Sequence, residues 1–478
     1  MPQHCKVALT DVFDKKDFDQ LPERRIWDHV IELTPDFKPI DCKICPLSPK
    51  EQPALQEFIE ENLRTGRIRP SKSPNASPFF FGMKPDGSGL CPIQDYRKLN
   101  EFTVKNRYPL PLIGEIIDKL KGAKYFTKLD VRWGFNNVRI HEGDEWKAAF
   151  RTNLGLFEPT VMFFGLTNSP ATFQTMMNHI LRDLISEGKV AVYLDDILIF
   201  TKDLAEHREV VSRVLQILRE NKLSLKPQKC EFERKEMKYL RMVIGRGEVR
   251  MDLAKVAAVE KWLTPKNKKE VQQFLGFANY YRRFIKGFSG IAKPLTTLTG
   301  KELWHWRREQ TEAFEEIKKR ICSEPVLMIP VDNVPYRLEA DSLDYASGAV
   351  LSQKVEDKWR PIAYMSKALN ETQQNYEIYD KEMLAIMTAL DEWRQYLLGA
   401  SEEFEIWTDH QNLQYFRKPQ KLNRRQARWV SELAEYHYNL KHKAGKSNVK
   451  PDILSRRPDL ERGENDNENI TLLKPEHF

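Results

Sequence analysis

The chain has few cysteines, no long apolar run and no short internal repeat. Six cysteines among 478 residues do not build a disulfide scaffold. Cys42 and Cys45 form one Cys-x-x-Cys pair, but no second pair follows at zinc-finger spacing, so reduced thiols without metal are expected. The opening Met1-Pro2-Gln3-His4-Cys5 lacks the apolar stretch of a signal peptide. No segment approaches the ~20 apolar residues of a membrane helix. These absences argue against a secreted or membrane-spanning class and lead us to expect an intracellular, reducing location. What is present suits buried cores: 41% of residues are hydrophobic and 30% charged. At ~150 residues per domain, the length suggests about three domains. The net charge of +7 is compatible with a polyanionic partner and equally with an ordinary surface.

Residues 1–49 are polar and punctuated by proline, and read as an extended lead-in. Leu55 to Leu63 has helical apolar spacing. Ser77 to Gly87 reads as a strand ending in a turn, and Tyr125 to Asp130 as a strand with an acid at its end. Ser169 followed by Pro170 predicts a helix start with Ser169 as N-cap. A helix near 205–221 and strands near 229–251 follow. Amphipathic helices fill 253–325, including Val271 to Ile285. Strands restart at 336–341, 348–351 and 361–364, and a helix then carries Ile386, Leu390, Trp393 and Leu397 on one face. The charged stretch from 458 to 478 has the composition of a disordered tail or linker.

Tyr193-Leu194-Asp195-Asp196 is the most informative stretch. Apolar, β-prone residues flank it on both sides, Val190 to Val192 before and Ile197 to Phe200 after. This reads as a hairpin with carboxylates at its tip. Adjacent acids repel unless a cation or a proton offsets them, and a divalent metal is the natural compensation. Asp130, at another strand end, is a candidate to join them. A lone Asp at a strand end is usually a turn residue or a cap, a plainer role that fits the doublet poorly.

The doublet resembles the signature of reverse transcriptases. Gln94 to Asn100, Phe126 to Asp130, Phe164 to Phe173 and Phe274 to Tyr281 are similar, in the same order, to the Pol polyprotein of gypsy-type LTR retrotransposons. The resemblance covers residues 20–475. It implies an α+β right-hand polymerase of fingers, palm and thumb, followed by an α/β ribonuclease H-like domain. The implied limits are fingers and palm at 50–250, a thumb or connector at 251–328 and ribonuclease H at 329–457. Asp130, Asp195 and Asp196 would hold two Mg2+ ions, with Mn2+ as a substitute. Phe135 would be the gate against a 2′-hydroxyl, although a core role is the alternative. Lys84, Arg97, Phe164 and Lys226 would line the nucleotide site.

Asp341, Glu382, Asp409 and Asp452 resemble the four-carboxylate set of ribonuclease H, which also holds two ions. Singly, each would be a surface acid. His442 and Asn448 stand where retroviral ribonucleases H carry a His and an Asn; gypsy-type elements often lack that His, and His442 is otherwise a loop histidine. The implied substrates are an RNA template, a DNA or tRNA-type primer, deoxynucleoside triphosphates and an RNA–DNA hybrid. A homodimer on substrate and a cytoplasmic retroelement particle or nuclear location are further implications. Neither a protease nor an integrase motif is present, so the chain is expected to start after the protease and stop before the integrase of such a Pol region.

Departures stand out at four places. Cys91 replaces an Arg that in the family contacts the incoming triphosphate; losing that charged contact would cost about 1.5–3 kcal/mol. Arg241 replaces a Gly at the primer grip and would be strained if the backbone there has positive φ. Pro451 and Ile453 flank Asp452 where small residues are usual, and Gly82, Met83 and Pro85 surround Lys84 where a basic run is common. All seven acids remain. The rival expectation is an inactive relic that only binds nucleic acid. A DNA-templated repair polymerase is a third, and the second acid set counts against it.

Overall fold

The computed structural model describes residues 10–13, 20–83, 89–300, 304–323, 326–342, 345–408 and 423–442. The chain divides into two compact units, Met1–Met237 and Lys238–Phe478.

In the first unit, strands β1 (Ile68–Pro70), β2 (Ser77–Met83), β3 (Leu90–Gln94), β5 (Phe150–Thr152) and β6 (Gly155–Pro159) form one sheet in the order β1-β6-β5-β2-β3. A second sheet, in the order β7-β8-β4-β9, joins β4 (Tyr125–Asp130), β7 (Val190–Tyr193), β8 (Asp196–Thr201) and β9 (Glu231–Arg234). All pairs in this second sheet are antiparallel. Within the lead-in, Thr10–Phe13 form a 3-10 turn, and the segment from residue 20 onward carries isolated bridges from His29 to Ile140, Leu33 to Thr103 and Asp41 to Ala76.

Helices Ser169–Ile180 and Leu204–Glu220 contribute to the core of the second sheet. The latter begins where the Asp203 carboxylate accepts from the amides of Ala205 and Glu206, the expected chemistry of a helix N-terminus. Its buried face, Val210, Val211, Val214, Leu215 and Leu218, follows the helical period. The helix at Ser169 starts one position earlier than its sequence suggests: Asn168 is the cap and Ser169 the first helical residue.

The sheet of β10 (Glu236–Tyr239), β11 (Met242–Gly245), β12 (Glu248–Met251) and β13 (Leu327–Met328) opens the second unit, whose first residue, Lys238, lies within β10. Between β12 and β13 lie the helices Leu253–Glu260, Lys268–Tyr280, Phe288–Thr299 and Arg308–Cys322. The segment expected as one helix through Ile285 ends at Tyr280 and continues as a 3-10 turn, Arg282–Phe284. The last sheet has the order β16-β15-β14-β17-β18. Its strands are β14 (Tyr336–Ser342), β15 (Ala346–Val355), β16 (Lys358–Ala368), β17 (Phe404–Thr408) and β18 (Tyr438–His442). β14, β17 and β18 run parallel, which aligns their C-terminal ends. Helix Ile378–Glu392 packs on this sheet through Met383, Ile386 and Leu390. It breaks at Trp393, and Leu397 follows in a separate turn.

Candidate active sites

Strand register assembles the first acid set. Asp130 ends β4 directly opposite Asp196, the first residue of β8. Tyr193 pairs with Asp196, so Leu194 and Asp195 are the two-residue turn between β7 and β8. Such turns require left-handed backbone, and Leu194 adopts it with φ 53°. Val131 donates its amide to the Asp195 carbonyl at 3.1 Å, and Leu194 donates its amide to Gln174 Oε1 at 2.9 Å. The carboxylate of Asp195 presses on Gly134, where an added Cβ would sit 2.3 Å from Oδ1. Sequence reasoning missed Gly134; its one signal is a glycine between two aromatic residues, four positions after Asp130.

Three lysines face these acids. Lys128 Nζ lies 2.9 Å from Asp196 Oδ1, and Lys226 and Lys229 each lie 3.4 Å from Asp130. Burial, then the charge of Asp130, pushes the Asp195 carboxyl up to about 6, against the pull of Lys226 and Lys229. Oδ1 of Asp130 and Oδ1 of Asp195 are buried and accept no hydrogen bond, the Lys226 contact being an ion pair outside hydrogen-bond geometry. Among the described residues no three His, Cys, Asp or Glu side chains close into a metal cage. With Asp196 turned to Lys128 and Asp130 held by two lysines, cations already occupy that role. Hard carboxylate oxygens, two of them without hydrogen bonds, nevertheless fit a hard divalent cation.

Phe135 is buried, 5.0 Å centroid to centroid from Phe164 and 5.6 Å from Phe173. Phe164 is 60% exposed, so the pair reaches from core to surface. Arg97 grips its neighbour Asp95 through two side-chain bonds of 2.8 and 2.6 Å, and this contact holds the Asp95 carboxyl below its usual range. Lys226 also donates its amide to the Asp130 carbonyl at 3.0 Å, so both its ends meet that acid. Cys91 is exposed on β3, opposite Gly82 of β2. Lys84 lies outside the described residues.

Leu240 and Arg241 form the turn between β10 and β11, with φ of 44° and 61°. Arg241 therefore occupies the left-handed region where a glycine would be unstrained. The Tyr280 hydroxyl donates to the Leu240 carbonyl and that of Tyr281 to the Arg241 carbonyl at 3.3 Å, and the guanidinium lies 5.7 Å from the Tyr280 ring centre.

In the second unit Asp341 is buried near the end of β14, and Glu382 is buried in the second turn of helix Ile378–Glu392. The amide of Ser342, next to Asp341, donates to Glu382 Oε1 at 3.0 Å, which brings the two acids to one place. A shallow surface depression adjoins Asp341, with Ser347, Gly348 and Ser366 in its wall. His442 ends β18 in register with Thr408 of β17. Asp409, Asn448 and Asp452 lie outside the described residues.

Comparison with known proteins finds a family match over each of the two regions. The family model "Reverse transcriptase (RNA-dependent DNA polymerase)" matches residues 84–244, and "RNase H-like domain found in reverse transcriptase" matches 332–436. The first span contains Asp130, Asp195 and Asp196; the second contains Asp341, Glu382 and Asp409. The Transposon Tf2-3 and Tf2-4 polyproteins of Schizosaccharomyces pombe are each 39% identical over 430 residues, 89% of this chain. The chain spans about a third of their length, 32%. A foamy viral protease-reverse transcriptase in complex with dsDNA matches with a TM-score of 0.76 at 23% identity, over 93% of this chain and 94% of that one. The same viral protein in complex with RNA/DNA hybrid matches with a TM-score of 0.73 at 23% identity, over 99% of this chain and 64% of that one. At that identity the likeness speaks to fold.

Proposed function

Since the chain belongs to the reverse transcriptase and ribonuclease H region of Tf2-like LTR retrotransposon polyproteins, we propose that it copies retroelement RNA into DNA and degrades the RNA of the resulting hybrid. The observation that carries this reading is the register of β4 and β8, which sets Asp130 against Asp196 beside the Asp195 turn. Both domain families use divalent metals. Two Mg2+ ions per site, replaceable by Mn2+, would activate the primer 3′-hydroxyl and stabilise the leaving pyrophosphate.

The residues of the chain supply the rest. Asp130, Asp195 and Asp196 would hold the ions. The rigid Phe135 ring, backed by Phe173, would discriminate against a 2′-hydroxyl, with Phe164 beside it at the nucleotide. Lys226, Arg97 and Lys84 would meet phosphate groups; for Arg97 this requires exchanging Asp95 for the substrate. In the second unit Asp341 and Glu382, with Asp409 and Asp452, would hold the ions for attack by water on the RNA strand. Asn448 and His442 would contact that strand.

The substrates proposed are an RNA template with a DNA or tRNA-type primer, in a retroelement particle or the nucleus, with a homodimer forming on substrate. RNA-templated primer extension with the purified chain tests the reading. Extension is expected with the native sequence and none with Asp195→Asn. No extension by either, with nucleic-acid binding intact, would establish the inactive relic instead.

A further inference from the structure

The Asp195 turn is held by one buried amide side chain. Gln174 is fully buried in helix Ser169–Ile180. Its Oε1 accepts the Leu194 amide at 2.9 Å, while its Nε2 donates to the Val192 carbonyl at 3.1 Å and to Asn178 Oδ1 at 2.9 Å. Asn178 Nδ2 in turn donates to the Tyr108 hydroxyl at 2.9 Å. The partners fix the orientation of the Gln174 amide, because its oxygen faces an N–H and its nitrogen a carbonyl.

Leu194 is the residue this arrangement constrains. A leucine at φ 53° is disfavoured, because Cβ crowds the carbonyl. The preceding residue Phe173 packs on Phe135 and approaches the Gly134 position, so one helical turn serves both sides of the acid set. We propose that Gln174 is a positioning residue for the polymerase metal site: it holds Leu194 in the left-handed conformation and thereby aims Asp195 toward Asp130. Asn178 and Tyr108 hold Gln174 in turn, tying the segment before the first carboxylate strand to the turn. This inference rests on the polymerase reading, but metal binding tests it without catalysis.

The test compares Gln174→Met, which keeps the volume and loses the hydrogen bonds, with the native full chain. Mn2+ binding is followed by water-proton relaxation, and primer extension and hybrid cleavage are assayed in parallel. Gln174→Met should weaken Mn2+ binding attributable to the first site and lower kcat for extension about ten- to a hundredfold, with the KM for nucleotide little changed and hybrid cleavage retained. Adding Leu194→Asn should restore much of both losses, because asparagine enters the left-handed region readily. Unchanged Mn2+ binding and kcat, or losses that Leu194→Asn does not relieve, would overturn the proposal. If Gln174→Met fails to fold, Asn178→Ala carries the test: a smaller loss of the same kind is expected, and no loss refutes it. If the native chain extends no primer, the function reading fails while the Mn2+ comparison still decides the role of Gln174.

Discussion

At the scale of single residues, the proposed polymerase site depends on side chains that are absent as much as on those present. Gly134 leaves room for the Asp195 carboxylate, and a methyl group there would overlap Oδ1 at 2.3 Å. Gly134→Ala should therefore abolish primer extension while hybrid cleavage persists, measured on one preparation. Cys91 offers the opposite case, an exposed thiol where a guanidinium is expected. Cys91→Arg should improve nucleotide use, read as kcat/KM, by about tenfold to more than a hundredfold, corresponding to one charged hydrogen bond of about 1.5–3 kcal/mol. The acids were legible because charge inside an apolar run demands compensation. Gly134 and Gln174 were not, since their importance appears only when the β7–β8 turn is folded against them. The strain expected at Arg241 is present, because the turn closing β10 and β11 places it at φ 61°.

At the scale of elements, helix Leu204–Glu220 is joined to the carboxylate-bearing sheet by His207. This ring is fully buried, with Nε2 2.8 Å from Thr127 Oγ1 on β4 and Nδ1 3.0 Å from Thr201 Oγ1 on β8. Burial lowers its pKa to about 4, outweighing the carboxylates of Glu233 and Glu206. His29, buried in the lead-in, is also lowered to about 4, with Asp144 opposing. For each, the unfolded chain binds the proton first, near the ordinary imidazole value of about 6.5. The stabilisation is thus complete above that value and lost as pH falls toward about 4. Urea unfolding of the first unit should show a midpoint that drops from about pH 7 to about pH 5, with a shallower drop in His207→Gln. Helix positions were legible from their apolar period. The break at Trp393 was not, because the stripe through Leu397 keeps its spacing across it.

At the scale of the whole molecule, each compact unit carries its own acid set. Glu382→Gln should remove hybrid cleavage and leave extension intact, measured on one labelled hybrid; loss of both would mean that the two chemistries share a site. The order of the domains was legible from motifs that follow one another along the chain. The division at 237 and 238 was not, because it falls inside β10, where no turn residue or change of composition marks it.

The lysine collar of the first site has a thermodynamic consequence. Lys128, Lys226 and Lys229 balance the formal charge of Asp130, Asp195 and Asp196 before any ion enters. Two divalent ions would then arrive in a neutral pocket with little electrostatic reward, whereas a triphosphate entering with them restores the balance and can draw the lysines away. Metal and nucleotide should therefore bind as mutually reinforcing ligands, each raising the affinity for the other by the same factor. Calorimetric titration of Mg2+ with and without deoxynucleotide on a primed template ending in a dideoxynucleotide should reveal that reciprocity, and Lys128→Met should weaken it.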